Sequence, residues 1–580
     1  MGGAGVGCLV AGIPSKKQSG AQALRHQAGR SPTLNMKICT ISMHVGSALK
    51  DMGHEVLNFW PQQSLFELSE ALAEQSFTPD LIFQEERLGQ RVILQGLHRF
   101  SCPKIFWSLD THCNLFWQAH YFRLFDGVLS PHISILQKDL HPPHPPFARL
   151  AMFGAERPWK PFSERLQNVA FVGRITQQRP LRRWLAEFLE EHSGARVAQD
   201  MTFAEMLDLY CASRLAPNES MLAEVNFRLL EAASCGCLVL SQDVGSDQDV
   251  LFASGREMET YAHVLELGAL LDHYSARPDQ AERLGRAAWE RVQREHLVRH
   301  RCQGILDFAA RLSPAGTHRN DQDAAFWLAL AHLHRSGLFV TPLEDLAQAL
   351  GKLSPTPEVV SALVTLLTEN GQKDAVLRVL HRIMAEGSHL DQLEVNLAGS
   401  LAGVFLDDWD LSRQFWHRHT ASRASGRMVP GSPAHLCLLW AKELVSAGRL
   451  GSSGFQYDPT AHLPKAAVEC LYLAQRLDPE DLETTRRLEA LTSTLCGYDF
   501  IRLGHLSHLA LHSPQDWRVG LQLGLVNLKA FRLQVGLEEI LLSRGNARRQ
   551  GKEDSFTRML SALDPKGYVL AALDGWGQSA

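Results

Sequence analysis

The sequence predicts an α/β fold followed by an all-α region: two domains built on parallel sheets, then a helical tail. Three observations predict it. From Lys37 to about residue 312, short apolar or β-branched runs alternate with helix-periodic stretches, and glycines punctuate the joins. A proline-rich break, His141–Pro146, cuts this region in two. Beyond about residue 320 the strand-like runs stop and helical periodicity takes over.

The bulk properties narrow the function classes. A chain of 580 residues has room for about three domains. Its 45% hydrophobic and 21% charged residues are ordinary globular values. A net charge of −5 gives no global basic field for nucleic acid or a membrane surface. No run reaches the ~20 apolar residues of a membrane span. The 11 cysteines are an odd number without disulfide or zinc spacing, so Cys235 and Cys237 are expected as buried thiols in a reducing cytoplasm. Residues 1–35, rich in Gly, Ala, Ser and Gln, read as a disordered leader, with folded sequence from Met36, a candidate start of translation.

In chain order, Lys37–Met43 is a strand, then a small-residue turn at His44 and Gly46 leads through a helix to a second strand at His54-Glu55-Val56. Ser64–Gln75 has the apolar period of a helix, and Pro79–Phe83 and Lys104–Leu109 are buried strands. At the carboxyl end of the latter stand Asp110 and His112, where open α/β sheets bind ligands. Asp110 equally suits a helix N-cap, and the aromatics Phe116, Trp117, Tyr121 and Phe122 suit a core. Phe125–Ser130 completes a first domain over 36–145.

The second domain is expected over 146–312. It opens on the strand Asn168–Val172, followed by Gly173 and Arg174, with Arg179, Arg182 and Arg183 close behind. Backbone N–H groups, a helix dipole and guanidinium together suit a pyrophosphate. Thr202–Ala212 is a helix and Arg214–Asn218 a strand. The stretch Asn218–Leu240 then carries a polar start, an apolar-periodic helix with Asn226, Arg228 and Glu231 as its polar exceptions, a stop at Gly236 and a buried strand. A glutamate there can accept from two ribose or sugar hydroxyls. Asp247-Gln-Asp249 has the spacing of a metal motif but sits where a helix opens.

The run Glu224-Val-Asn-Phe-Arg-Leu-Leu-Glu231-Ala-Ala-Ser-Cys-Gly-Cys-Leu-Val-Leu240 resembles the donor-binding segment of GT-B glycosyltransferases, above all the bacterial spore-maturation-type branch. The resemblance covers about residues 36–312 and is most specific over 168–240. It implies two Rossmann-like domains with a cleft between them and a nucleotide-sugar on the second. Glu231 takes the ribose ligand's position and Arg174 that of a phosphate ligand, with Arg179 or Arg182 as the second cation and Asn218, Asn226 and Arg228 near the phosphates or sugar. Asp110 and His112 are the candidate catalytic residues, facing the cleft on the acceptor side. The wider retaining group separates two glutamates by seven residues; here six lie between Glu224 and Glu231, and Glu219 is farther away. The implied activity is metal-independent and retaining, with no cofactor beyond the donor. Pro278–Leu312 resembles the helical strap that returns across the cleft, its charges expected in solvent.

In the tail, about 320–580, Ala474–Pro479 and Leu509–Pro514 stand 35 residues apart, each followed by an acidic residue and a new helix. That pattern resembles tetratricopeptide-type hairpins and predicts an α-solenoid for a protein partner or an acceptor. The expected function is glycosyl transfer from a nucleotide-sugar to a glycan, lipid-linked or protein acceptor. The rival is a degenerate module acting through its helices as a binding protein.

Overall fold

The computed structural model describes residues 35–42, 44–87, 89–220, 222–313, 319–421 and 428–576. The expected leader, residues 1–34, lies outside them. From Met36 onward the chain forms one compact unit.

The first lobe is a parallel sheet. Its strands are β1 (Lys37–Ile41), β2 (Glu55–Phe59), β4 (Leu81–Glu85), β6 (Lys104–Trp107), β7 (Gly127–Ser130) and β8 (Phe147–Arg149), in the order β2-β1-β4-β6-β7-β8. Two short strands, β3 (Leu65–Glu67) and β5 (Ile93–Gln95), pair beside it. Leu65–Glu67 was expected to be helical. Its residues pair with β5 instead, and the helix begins only at Leu68. The proline-rich segment does not end the lobe. Val128 pairs with Phe147 and Ser130 with Arg149, so the first sheet extends past the expected boundary at residue 145.

The second lobe carries β9 (Gln167–Val172), β10 (Arg196–Ala198), β11 (Ser213–Asn218), β12 (Leu238–Gln242) and β13 (Glu259–Tyr261), all parallel, in the order β10-β9-β11-β12-β13. Gly236 stops the helix before β12 in the left-handed region, with φ of +76°. The Pro278–Glu295 helix packs on that turn. A β-carbon on its Gly285 would stand 2.7 Å from the Gly236 carbonyl.

The next helix, Val298–Ala309, returns to the first lobe, where Phe308 packs against Gly127. The charges of these two helices are not all in solvent. Arg301 is buried, donating to the Met152 carbonyl at 2.7 Å and facing His296 at 3.0 Å, and Arg291 pairs with Glu257 at 2.8 Å. An apolar seam joins the lobes, with Trp107 and Leu129 in one cluster with Leu229, Val239 and Ile305.

From Arg319 onward every regular element among the described residues is a helix, in antiparallel pairs such as Trp517–Lys529 with Leu533–Arg549. The two helices that follow the 35-residue pattern are capped alike. Asp481 accepts from the Glu483 N–H and Asp516 from the Arg518 N–H, both at 3.1 Å. The region is not a free-standing tail. Leu328 and Leu333 share a core with Phe106 and Tyr121 of the first lobe, while Leu506, Leu521 and Phe531 share one with Leu185 and Leu267 of the second.

One loop of the region sits against the first lobe. Ser453 accepts from the Phe116 N–H at 3.3 Å and donates to Asp139 at 2.8 Å. Beside it Gly454, at φ +85°, lies so close to the Cys113 carbonyl that a β-carbon would approach it to 2.0 Å. Gly454→Ala is therefore expected to lift the loop, cost about 1–3 kcal/mol and open a protease-sensitive site there. A melting curve and a limited-proteolysis pattern both unchanged from wild type would show that the loop is not seated.

Candidate functional site

The carboxyl ends of the two sheets face one another. His132, just after β7, receives the Val225 N–H on Nε2 at 3.1 Å, and Ser134 donates its backbone N–H to Asp247 at 3.2 Å. Asp247 also pairs with Arg149 at 2.7 Å, so its carboxylate ties the lobes together. Among the described residues no group of three or more His, Cys, Asp or Glu is placed to hold a metal ion.

On the first-lobe side, Asp110 starts the Thr111–Tyr121 helix but makes no side-chain capping bond. Its backbone N–H donates to Glu86 at 2.8 Å, and Asn114 and Gln118 donate to the other Glu86 oxygen at 2.7 Å each. Burial pushes Glu86 up to about 8 and Asp110 to about 6, the nearby Arg91 guanidinium holding Asp110 down. His112 stacks edge-on against His132, with ring centroids 5.0 Å apart. Burial drives His112 well below its ordinary range, and the neighbouring His132 ring disfavours its protonation further; burial likewise takes His132 down to about 4, so both rings are neutral at pH 7. The His112 Nδ1 atom is buried without a hydrogen-bond partner among the described residues.

On the second-lobe side, β9 ends at Val172 and the chain turns through Gly173 into an exposed loop. Arg174 and Arg179 are exposed there, and neither side chain pairs with a carboxylate among the described residues. Arg182 belongs to a different arrangement. It and Arg228 both bind Glu219, whose carboxylate is fully buried at the end of β11. Arg228 also donates to the Val172 carbonyl at 2.9 Å and to Asn218 at 3.0 Å, and lies 4.8 Å over the Phe171 ring. Asn218 donates in turn to Ser241 at 3.0 Å. Asn226 caps the Phe227–Ser234 helix through the Leu229 N–H and donates to the Glu219 carbonyl at 2.9 Å.

Of the residues expected at the donor, then, Asn218, Asn226 and Arg228 are engaged with other protein groups, and their visible work is to shape the turn around Glu219. Arg174, Arg179 and Glu231 keep side-chain groups with no hydrogen bond or ion pair among the described residues. Glu231 is half-buried on that helix, its carboxylate making no hydrogen bond among the described residues. Burial raises it to about 7, against the pull of Arg228. Glu224 accepts from the Leu222 N–H at 2.8 Å and is also raised to about 7, by burial and by Glu219.

Residues 157–307 match the family model described as glycosyl transferase-like. The glycosyl transferase-like segment thus spans the second lobe from before β9 into the helix that returns to the first. It contains Arg174, Arg179, Glu219 and Glu231, while Asp110 and His112 lie outside it. No curated protein matches the chain. Among solved structures, it is similar to sucrose-phosphate synthase from Thermosynechococcus elongatus, at 12% identity over 48% of this chain and 100% of that one, with a TM-score of 0.35. It is also similar to Anabaena HepE in complex with UDP and glucose, at 13% identity over 48% and 100%, TM-score 0.34. The pneumococcal O-GlcNAc transferase GtfA with UDP and GlcNAc gives 7% identity over 42% and 59%, TM-score 0.32. Likenesses this distant assign no reaction.

Sequence reasoning missed Glu86 and Arg91, and set Glu219 aside on spacing. The available signal was position: Glu85 and Glu86 follow the strand run Leu81-Ile-Phe-Gln84, and Glu219 follows Leu215-Ala-Pro-Asn218. Carboxylates at strand ends of a parallel sheet lie on the ligand-facing edge.

Proposed function

We propose that this chain is a glycosyltransferase that binds a nucleotide-sugar on its second lobe and transfers the sugar, without a metal ion and with retention, to an acceptor at the carboxyl edge of the first sheet. The observation that carries the reading is Glu231, a half-buried carboxylate with no hydrogen-bond partner among the described residues, inside the glycosyl transferase-like segment. A partly exposed carboxylate with no protein donor is open to the hydroxyls of a ligand. Two vicinal ribose hydroxyls supply two donors.

In this reading Arg174 and Arg179 hold the diphosphate, with the N–H groups at the start of the Phe227–Ser234 helix beside them. As the bond from sugar carbon to phosphate oxygen breaks, its electron pair goes to the diphosphate, the acceptor oxygen bonds the same carbon on the same face, and its proton passes to the departing phosphate oxygen; these groups meet the charge that develops. Asp110 orients the acceptor hydroxyl as a hydrogen-bond acceptor, and the neutral His112 lines the same wall.

A second reading, a degenerate module that binds through its helices, is favoured by one observation. Glu219 occupies both Arg182 and Arg228, two cations that would otherwise face phosphates.

A thermal-shift screen with UDP, GDP, TDP, ADP and CMP separates the two. A nucleotide at 100 times its Kd stabilises the native state by about 2.7 kcal/mol. One of the five is expected to raise the melting temperature, and Glu231→Ala and Arg174→Ala to abolish the rise. No shift with any of them would support the second reading.

The screen also carries a pH signature. The Glu231 carboxyl is raised from 4.5 to about 7, so the native state holds its proton more tightly than the unfolded chain. Its contribution to stability therefore falls as pH climbs through that interval and is flat above it. Nucleotide affinity runs the other way, because ribose needs the ionised acceptor. The nucleotide shift is expected to grow between pH 6 and 8 in the wild type and to stay flat in Glu231→Gln. A wild-type shift that shrinks over that range would remove Glu231 from the ribose.

A further inference from the structure

One cavity lies outside the cleft. A groove of about 840 Å³ runs between the β3–β5 pair of the first lobe and the first helices of the helical region. That volume is in the range of ligand sites, ~300–1,000 Å³. One wall carries Gln63, Ser64 and Gln95; the facing wall carries Phe326 and Trp327 of the Arg319–Arg335 helix, with Asp345, Gln348 and Lys352 of the next helix along the rim. The Phe326 and Trp327 rings are half-buried, 5.3 Å apart and nearly perpendicular.

We propose that this groove binds a neutral oligosaccharide, the growing acceptor chain, away from the reacting end. The chemistry of the lining selects that class. A pyranose ring has an apolar C–H face that seats on an aromatic ring, and a periphery of hydroxyls that each donate and accept. The groove offers both complements. The side chains of Gln63, Gln95 and Gln348 make no hydrogen bond within the protein among the described residues, so their amides are free to donate and accept. The independent sign of a ligand is Thr341. It lines the groove with 9% of its surface exposed, and its hydroxyl is buried without a partner among the described residues. A protein that buries a hydroxyl unpaired pays for it unless something else bonds it.

A series of contacts also runs from the end of β4 toward the groove. At the end of β4, Glu85 holds His44 at 3.2 Å, and His44 packs on Trp60 with centroids 5.4 Å apart. Trp60 is 44% exposed, and its carbonyl takes the Gln62 amide at 3.1 Å, one residue from Gln63 on the groove wall. A row of ring and amide groups thus leads from the edge of the first sheet to the groove. A peptide would call for matched charge or main-chain pairing; side-chain amides, hydroxyls and flat rings match rows of sugar hydroxyls.

The acceptor role rests on the glycosyltransferase reading, but binding in the groove does not, and the experiment keeps them apart. The full-length protein is applied to a printed array of neutral glycans, and its strongest ligands are measured by calorimetry with and without the nucleotide found in the thermal-shift screen. Trp327→Ala is expected to weaken oligosaccharide binding about thirty-fold. Because Trp327 also touches the core, the double variant Gln63→Ala/Gln348→Ala, at two exposed positions, is the second test, with a loss of about ten-fold expected. Nucleotide shifts should be unchanged in both. Oligosaccharide binding lost in these variants, with no nucleotide shift in the wild type, would keep the groove and sink the transferase reading. Nucleotide binding with no glycan retained on the array would overturn the groove, as would glycan binding that both variants preserve. Capture of a peptide from a display library in place of any glycan, lost in the same variants, overturns it too.

Discussion

Alanine at both Arg174 and Arg179 is expected to cut glycosyl transfer by about 10²–10³-fold and leave the melting temperature unchanged. The two halves of this expectation come from the same fact. Both side chains are exposed in the loop beyond β9 and neither is paired with a carboxylate among the described residues, so no folded-state contact is lost with them. On the proposed reading, what is lost is positive charge facing the diphosphate's negative charge. That charge is larger on the departing diphosphate than on the bound donor, so the loss should fall on kcat more than on KM. Single Arg182→Ala is the contrasting variant. Its guanidinium is bound to buried Glu219, and its removal should register first as instability. Full transfer activity in the Arg174→Ala/Arg179→Ala protein, with the donor identified by thermal shift, would remove both residues from the phosphates.

Glu219→Ala is expected to be the most destabilising single change in the second lobe. The carboxylate is fully buried and binds Arg182 and Arg228. Removing it leaves two guanidinium groups held together without the charge that separates them. Breaking a buried pair by deleting one partner costs about 3–5 kcal/mol, a fall in melting temperature of a few degrees, about 3–5 °C, for a cooperative unit of this size. Replacing the whole triad is a different experiment. Glu219→Leu with Arg182→Met and Arg228→Leu removes every buried charge at once and should recover much of the loss. If that triple variant regains its melting temperature but gives no nucleotide shift, the triad serves the ligand as well as the fold. A Glu219→Ala protein that melts within a degree of wild type would show that the triad is not closed.

The sequence made the scaffold legible where one residue decides the backbone. Gly236 marked a helix end because the chain turns there through positive φ, and the apolar run behind it had only a buried strand to become. Asp481 and Asp516 marked helix starts 35 residues apart because an aspartate at that position bonds the first turn. Legibility failed where a role depends on a distant partner. Glu219 meets Arg182 across 37 positions, and Asp247 meets Ser134 across 113, so no local pattern separates either from a solvated acid. Leu65–Glu67 failed for the same reason, since its helical period lost to a pairing with Ile93–Gln95. Phe147–Arg149 is only three residues long, too short to announce a last strand behind the prolines.

The shared cores of the helical region bear on how this protein can change. Leu506, Leu521 and Phe531 lie in one core with the second lobe, and Leu328 and Leu333 in one with the first. Cutting the chain near residue 313 would bare an apolar face on each lobe, and bared faces of that kind drive association. The α/β half is therefore not an interchangeable cassette. A lineage that traded its helices for another set would have to rebuild both lobes' outer surfaces in step, so substitutions in the helices and in the lobe faces beneath them are bound to one another.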